Sequence, residues 1–327
     1  MFDGDLKDVL KADDRRIIIT GAGGWLGLTL LDLLDNLLGP SVFERVHCFG
    51  SSDRTLELVN GRTVPQQPLH QITELAERPS VLFHFAFLTK DRAEVLEYEA
   101  YCKANRAIQQ LVLNSLGQIG VQSVFLASSG AAYRASDVNS SEAMRIYGSL
   151  KLEDELDFAK WAEQSGQQLI TARIFNVSGP YVNKISAYAM ASFIADVLRG
   201  QPIVVKATRP VYRSYTSAKQ LMSLALAAML SAERRNLSFD TGGKKLEMRE
   251  LAAEVAAALN GSVATVPAMI DDAPDDYTGD AGGYDRLMAQ YNIHAVPLRQ
   301  QIFETASYLK NKVKKAQDGL SYKQETM

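Results

Sequence analysis

The sequence predicts an α/β protein, a doubly wound parallel sheet followed by a smaller mixed α/β part in the C-terminal half. Three observations lead there. Apolar runs of strand length alternate with amphipathic, helix-length segments as far as Gly179-Pro180. The runs are nearly continuous in apolar residues, as expected for strands covered on both faces. A glycine-rich turn separates the first run from the first helix.

Taken in order, RIIIT (16–20) reads as a buried strand, and Leu26 to about Leu38 as a helix stopped by Gly39-Pro40. RVHCFG (45–50) is the second strand, followed by a polar turn, SSDR. SVLFHFAF (80–87) is a third, and 91–116 carries a long amphipathic helix pattern. SVFLASS (123–129) is a strand, 145–164 a helix, and QLITARIFNV (168–177) a strand. Beyond Pro180 the alternation fades. Helices are expected over 186–199, 217–232 and 248–259, with strands at IVVKA (203–207) and LSFDTGG (237–243). Residues 269–286, acidic and glycine-rich, read as a solvated surface loop, or alternatively a substrate lid. The charged tail from Lys310 is expected to fray.

Bulk properties narrow the field. At 327 residues the chain can bury a sizeable core, and 46% hydrophobic with 22% charged residues is ordinary for a globular protein. A net charge of −3 gives no reason to expect a nucleic acid partner. No run approaches the roughly 18 apolar residues of a membrane span, and the polar start lacks a secretory core. Cys48 and Cys102 have neither disulfide-framework nor metal spacing, so they are expected to be buried in a reducing compartment. The expected location is the cytoplasm, with no metal.

Two patterns carry chemistry. In TGAGGWLG (20–27), Gly21 permits a tight turn, Gly24 a close approach to a pyrophosphate, and Gly27 close helix–strand packing. The helix start, through Trp25 and Leu26, then turns its amides and positive dipole end toward the phosphates. This is a Rossmann-like dinucleotide site. An acid at the end of the second strand would grip the ribose of NAD. Gly50 stands there instead, followed by Ser51, Ser52, Asp53 and Arg54. Two hydroxyls and a guanidinium suit a 2′-phosphate, so NADP(H) is favoured over NAD(H). NAD returns if Asp53 turns inward, and Arg54 can also be read as an exposed loop residue.

The second pattern is Tyr147 and Lys151, four apart on one helix face. A free phenol titrates near pH 10, and a neighbouring ammonium lowers that value, so Tyr147 could exchange a proton with a substrate oxygen. Lys151 could also bond the nicotinamide ribose. Ser128 and Ser129 end the preceding strand and could polarise the same oxygen.

Together these residues resemble the extended short-chain dehydrogenase/reductase superfamily, in its NAD-dependent epimerase/dehydratase branch acting on nucleotide sugars. HFAF (84–87) is similar to the family's His-x-Ala-Ala segment, which places Phe85 and Ala86 beside the cofactor, with Phe87 replacing the last alanine. Asn105 matches the asparagine of the following helix. LASSGAAY (126–133) resembles the strand of the catalytic hydroxyl, with Ser129 on that position and Ser128 its alternative. RIFNVSGP (173–180) implies a substrate contact for Asn176, and RSYTSAKQL (213–221) implies diphosphate binding by Arg213, which could otherwise be a surface arginine. Ala218 and Lys219 stand where acids are usual.

Members that eliminate water carry an acid directly after the catalytic hydroxyl. Here Gly130, Ala131 and Ala132 follow Ser129. The resemblance therefore implies reduction of a 4-keto nucleotide sugar, with an NAD-dependent 4-epimerase as the alternative. A reductase of non-nucleotide ketones is a third possibility, and a catalytically silent dinucleotide sensor or scaffold is a reading from another class. The expected domains are 1–178 for the dinucleotide, with 213–243 returning to it, 179–212 and 244–315 for substrate, and a disordered tail at 316–327. A homodimer through 91–116 and 145–164 is implied by resemblance.

Overall fold

The computed structural model describes residues 3–325 except 265, 271 and 272, with side chains outside the description at 3–5 and 313–325. The chain divides into two units. The first holds the residues up to Phe175 together with Lys219–Gly242 and Gly279–His294; the second holds Asn176–Ala218, Gly243–Thr278 and the residues from Ala295 onward. The division differs from the expected boundaries: 176–178, 213–218 and Gly243 lie in the second unit, and 279–294, expected in the substrate domain, in the first.

In the first unit, helix α1 (Asp3–Ala12) precedes strand β1 (Arg16–Thr20) and helix α2 (Trp25–Leu38). Strands β2 (Val46–Gly50), β3 (Arg54–Glu57), β4 (Thr63–Pro68) and β5 (Ser80–His84) follow, then helices α3 (Lys90–Ala93) and α4 (Tyr98–Leu116). Strand β6 (Val121–Ser129), helix α5 (Glu142–Ser165) and strand β7 (Gln168–Ile174) complete the continuous part. In the second unit lie β8 (Asn176–Ser178), α6 (Ala189–Leu198) and β9 (Val211–Ser217). Helix α7 (Ala218–Met229) and strand β10 (Leu237–Asp240) return to the first unit. Strand β11 (Lys245–Glu247), helix α8 (Met248–Leu259) and strand β12 (Asp275–Tyr277) are in the second unit, α9 (Ala281–Gln290) in the first, and α10 (Leu298–Glu325) in the second.

The first unit is built on an eight-stranded sheet of order β10-β7-β6-β5-β1-β2-β4-β3, parallel except for the β3–β4 pair. Strands β1 and β5 are buried along their whole length, which accounts for their unbroken apolar runs. Ile18, Phe49, Leu82, Val124, Leu126 and Phe158 meet in one core cluster. The strand order reverses at β1, flanked by β2 and β5, so the carboxyl ends there form the crevice where open α/β sheets take ligands. The second unit carries a smaller sheet in which β9 pairs with β11, β12 and β8.

Several elements differ from expectation. The polar stretch after β2 holds the antiparallel β3–β4 hairpin, whose burial alternates as at a half-covered edge. Its turn is Asn60-Gly61, with Gly61 at φ +82°. The helix expected over 91–116 is broken, because Glu97 takes an extended backbone before α4. Among the described residues IVVKA forms no named strand and makes one isolated bridge, Ile203 to Val263. The acidic stretch 269–286 is not a loop throughout: β12 pairs with β9, and Asp280 caps α9 by accepting from Gly283 N. The backbone expected to be disordered at 316–325 continues α10, while 326 and 327 lie outside the described residues. Cys48 and Cys102 are free and buried as expected, and burial pushes the Cys48 thiol up to about 12. Among the described residues no helix is long and apolar enough to cross a membrane.

Candidate active site

At the end of β1 the chain turns on Gly21, at φ +69°. A Cβ at that position would lie 2.7 Å from the backbone of Phe85 and Ala86, so the turn is pressed onto the segment leaving β5. A Cβ on Gly27 would come within 2.5 Å of the Ala22 carbonyl, which is the close helix packing expected of it. Gly24 is the N-cap of α2 and has no side chain with which to cap it; no acid stands in the first turn. Trp25 is buried and Leu26 half-buried, leaving their backbone as the part that can face a ligand. The uncapped, unneutralised N-terminus fits a pyrophosphate.

Ser51, Ser52 and Asp53 are exposed after β2, while Arg54 is the first residue of β3 rather than part of the turn. Its guanidinium lies against Gly23: a Cβ there would be 1.7 Å from Nη2. Opposite Arg54 in the hairpin stands Gln66, fully buried and missed in the sequence reading. Its Oε1 accepts from Gly23 N at 3.0 Å, and its Nε2 donates to the Ser52 carbonyl at 2.9 Å. The signal that could have found it is a polar residue at the inward phase of a strand following an Asn-Gly turn.

His84 closes β5, buried, with Nδ1 2.7 Å from Thr20 Oγ1. Burial, and secondarily the charge of Lys151, push it down to about 3, so the ring is neutral. Asn105 was expected at the cofactor. Its amide ties the segment after His84 to α4, with Oδ1 accepting from Leu88 N at 2.8 Å and Nδ2 donating to the Tyr101 carbonyl at 3.3 Å.

Strand β6 presents two serines with different fates. Ser128 Oγ donates to Glu155 Oε1 at 2.5 Å, and Glu155 is paired with Arg173 at 2.6 Å. Ser128 thus belongs to a network with Glu155 and Arg173. Ser129 Oγ accepts from Ala131 N at 3.2 Å and starts the 3-10 turn Gly130–Arg134. That turn is clamped to α5, because a Cβ on Gly148 would stand 2.1 Å from the Ala131 carbonyl. Tyr147 is the residue before Gly148, so this clamp brings its helix and the Ser129 turn together. The half-buried Tyr147 ring meets Phe87 edge-on, with centroids 5.6 Å apart.

Lys151 is buried. Nζ donates to the Ala127 carbonyl at 3.0 Å and to Asp154 Oδ2 at 3.3 Å, and lies 3.7 Å from the centre of the Phe87 ring. Burial lowers the Lys151 pKa and raises that of Asp154, with their mutual attraction opposing both shifts. Phe87 therefore packs on both the tyrosine and the ammonium. Neither its role nor that of Asp154 was read from the sequence.

In the second unit, Asn176 Nδ2 donates to the Ser214 carbonyl at 3.2 Å. Arg213 is paired with Asp275 at 2.8 Å and also donates to the carbonyls of Tyr212 and Asp275. An arginine expected to meet a diphosphate already has an internal counter-ion, supplied by the acidic stretch.

The family model described as the NAD dependent epimerase/dehydratase family matches residues 17–238. The chain belongs to this family. It is accordingly an enzyme of the short-chain dehydrogenase/reductase type, as the glycine turn and the Ser129–Tyr147–Lys151 set implied. Among family relatives, UDP-glucuronic acid decarboxylase 5 of Arabidopsis thaliana is 24% identical over 283 residues, covering 80% of each chain. A UDP-N-acetylglucosamine 4-epimerase from Methanobrevibacter ruminantium, solved with UDP-N-acetylmuramic acid, superposes with a TM-score of 0.70. It is 18% identical and covers 92% of this chain and 99% of its own. Thermus thermophilus UDP-glucose 4-epimerase, solved with NAD, gives a TM-score of 0.65 at 20% identity, covering 90% and 99%. These solved structures share the epimerase/dehydratase fold with this chain.

Proposed function

We propose that this enzyme reduces the 4-keto group of a nucleotide sugar, with NADP(H) as the favoured cofactor. The observation that carries the reading is the seating of Gly148 on the Ala131 carbonyl, which joins the Tyr147 helix to the turn after Ser129. In this arrangement Ser129 Oγ bonds the substrate carbonyl oxygen, and the Tyr147 phenol delivers a proton to that oxygen. The cofactor, held at Gly21, Gly24 and Gly27, supplies the hydride. Lys151 fixes the geometry by tying α5 to the Ala127 carbonyl of β6. Asn176 and Arg213 are proposed to address the substrate, Arg213 by exchanging Asp275 for a diphosphate.

Elimination of water is disfavoured sterically as well as chemically. A Cβ at position 130, where an acid would be needed, would lie 2.4 Å from the Phe175 ring. An NAD-dependent 4-epimerase is the second reading, supported by relatives whose names are 4-epimerases, one of them solved with NAD. We also propose a cytoplasmic homodimer. The exposed apolar residues Tyr98 on α4 and Leu156 on α5 support pairing through those helices. The test is a panel of 4-keto nucleotide sugars with NADPH, followed by product analysis, beside UDP-sugars with NAD⁺. A reductase consumes NADPH with the keto sugars. An epimerase interconverts UDP-sugars without net consumption. A dinucleotide sensor does neither, and its cofactor binding survives Tyr147→Phe unchanged.

A further inference from the structure

Position 50 ends β2 where an acidic side chain would grip a ribose hydroxyl. Its backbone is ordinary, since Gly50 is not among the positive-φ glycines. Space is the obstacle. A Cβ on Gly50 would come within 2.4 Å of the Cδ, Nε2 and Oε1 atoms of Gln66. That side chain reaches over from β4, fully buried, and uses one end on Gly23 N and the other on the Ser52 carbonyl. It thus fills the volume of the missing acid with a neutral amide and ties the glycine turn to the loop after β2. Directly across the hairpin, Arg54 lays its guanidinium on the same glycine, Gly23. The ribose end of the turn is therefore faced by a cation and an amide, with the place for a carboxylate occupied.

We propose that Gln66 is a specificity-determining residue for the cofactor. It excludes an acidic side chain from position 50 and holds the turn in the form in which Arg54 meets a 2′-phosphate. The inference deepens the reading of the glycine turn as an NADP(H) site and rests on it. Gln66 acts by position and by lacking charge. An isosteric carboxylate at 66 keeps the bond to Gly23 N, loses the bond to Ser52, and places a negative charge beside the phosphate.

The test is calorimetric binding of NADP⁺ and NAD⁺ to the full chain, with melting temperatures recorded alongside. Four variants are compared: Gln66→Glu, Arg54→Ala, Gly50→Asp, and Gly50→Asp combined with Gln66→Ala. Wild type is expected to prefer NADP⁺. Gln66→Glu is expected to move the affinity ratio toward NAD⁺ by about tenfold or more, from the added repulsion. Gly50→Asp alone is expected to lower the melting temperature without raising NAD⁺ affinity. The double variant is expected to fold and to prefer NAD⁺, because truncating Gln66 opens the room the aspartate needs. Unchanged ratios in both Gln66→Glu and the double variant would overturn the inference. If Arg54→Ala lost NADP⁺ affinity in that case, the cofactor reading would stand without Gln66. A wild type that bound NAD⁺ more tightly, or neither nucleotide, would remove the reading beneath it.

Discussion

Replacing Lys151 with methionine tests how the centre of the site is held. Its side chain is 6% exposed and that of Asp154 4%, so the pair is shielded from water. Methionine keeps most of the volume but leaves the Asp154 carboxylate buried without its cation. Breaking a buried pair from one side costs about 3–5 kcal/mol. With a urea m-value of roughly 3 kcal/mol/M, the midpoint should fall by about 1–1.7 M. The assay is urea unfolding followed by tryptophan fluorescence. Both tryptophans, Trp25 and Trp161, lie in the first unit, so the signal reports the unit that carries the pair. The pH dependence adds a second check. Asp154 already has a raised pKa from burial, and losing Lys151 raises it further. An acid with a raised folded pKa destabilises the fold above that pKa, and the penalty is relieved as pH falls toward the unfolded value. The gap between variant and wild type should therefore narrow from pH 8 to pH 5. Adding Asp154→Leu should recover most of the loss. A Lys151→Met protein as stable as wild type at pH 8 would refute the buried pair.

Three further outcomes are expected. Ser129→Ala should lower the turnover of a keto substrate by about 100-fold or more, whereas Ser128→Ala should leave turnover within a few-fold and cost about 1–3 kcal/mol by depriving Glu155 of a donor; steady-state rates and urea melts separate the two. Gly130→Asp should lower stability by about 1–3 kcal/mol through collision with Phe175 and confer no dehydration of nucleotide sugars, checked by melts and product analysis. His84, neutral when folded down to about 3, binds its proton in the unfolded chain first, so stability should fall as pH drops below 6.5. The loss from this residue is about 2 kcal/mol by pH 5, and His84→Gln should remove that part of the slope.

What the sequence made legible follows from how locally each feature is determined. RIIIT lies where its run placed it, and the run at 80–87 yields a strand over Ser80–His84; both are buried along their length, so composition marks them as inner strands. Gly27 is forced by the backbone of Ala22, five residues away, and Gly21 by its own positive φ, reinforced by the backbone of Phe85 and Ala86. Gln66, Phe87 and Asp154 were invisible because their meaning depends on which distant residue they meet. Gln66 matters only through its register opposite Arg54 and its reach over Gly50. Ser128 and Ser129 differ by one position, and adjacent strand residues face opposite ways, so only the packing of α5 decides which one meets Glu155. IVVKA shows the converse: its β-prone residues make only an isolated bridge among the described residues, because strand formation depends on tertiary pairing as well as composition.

The central claim is that the Tyr147 phenol passes a proton to a substrate oxygen beside a bound nicotinamide. Its most direct test is a single-turnover reaction of the NADPH-loaded enzyme with a 4-keto nucleotide sugar, followed by the loss of reduced-nicotinamide absorbance, in wild type and in Tyr147→Phe. The account predicts rapid loss in wild type, and a rate about 100-fold or more lower in the variant at unchanged NADPH affinity. Equal rates in the two proteins would contradict it.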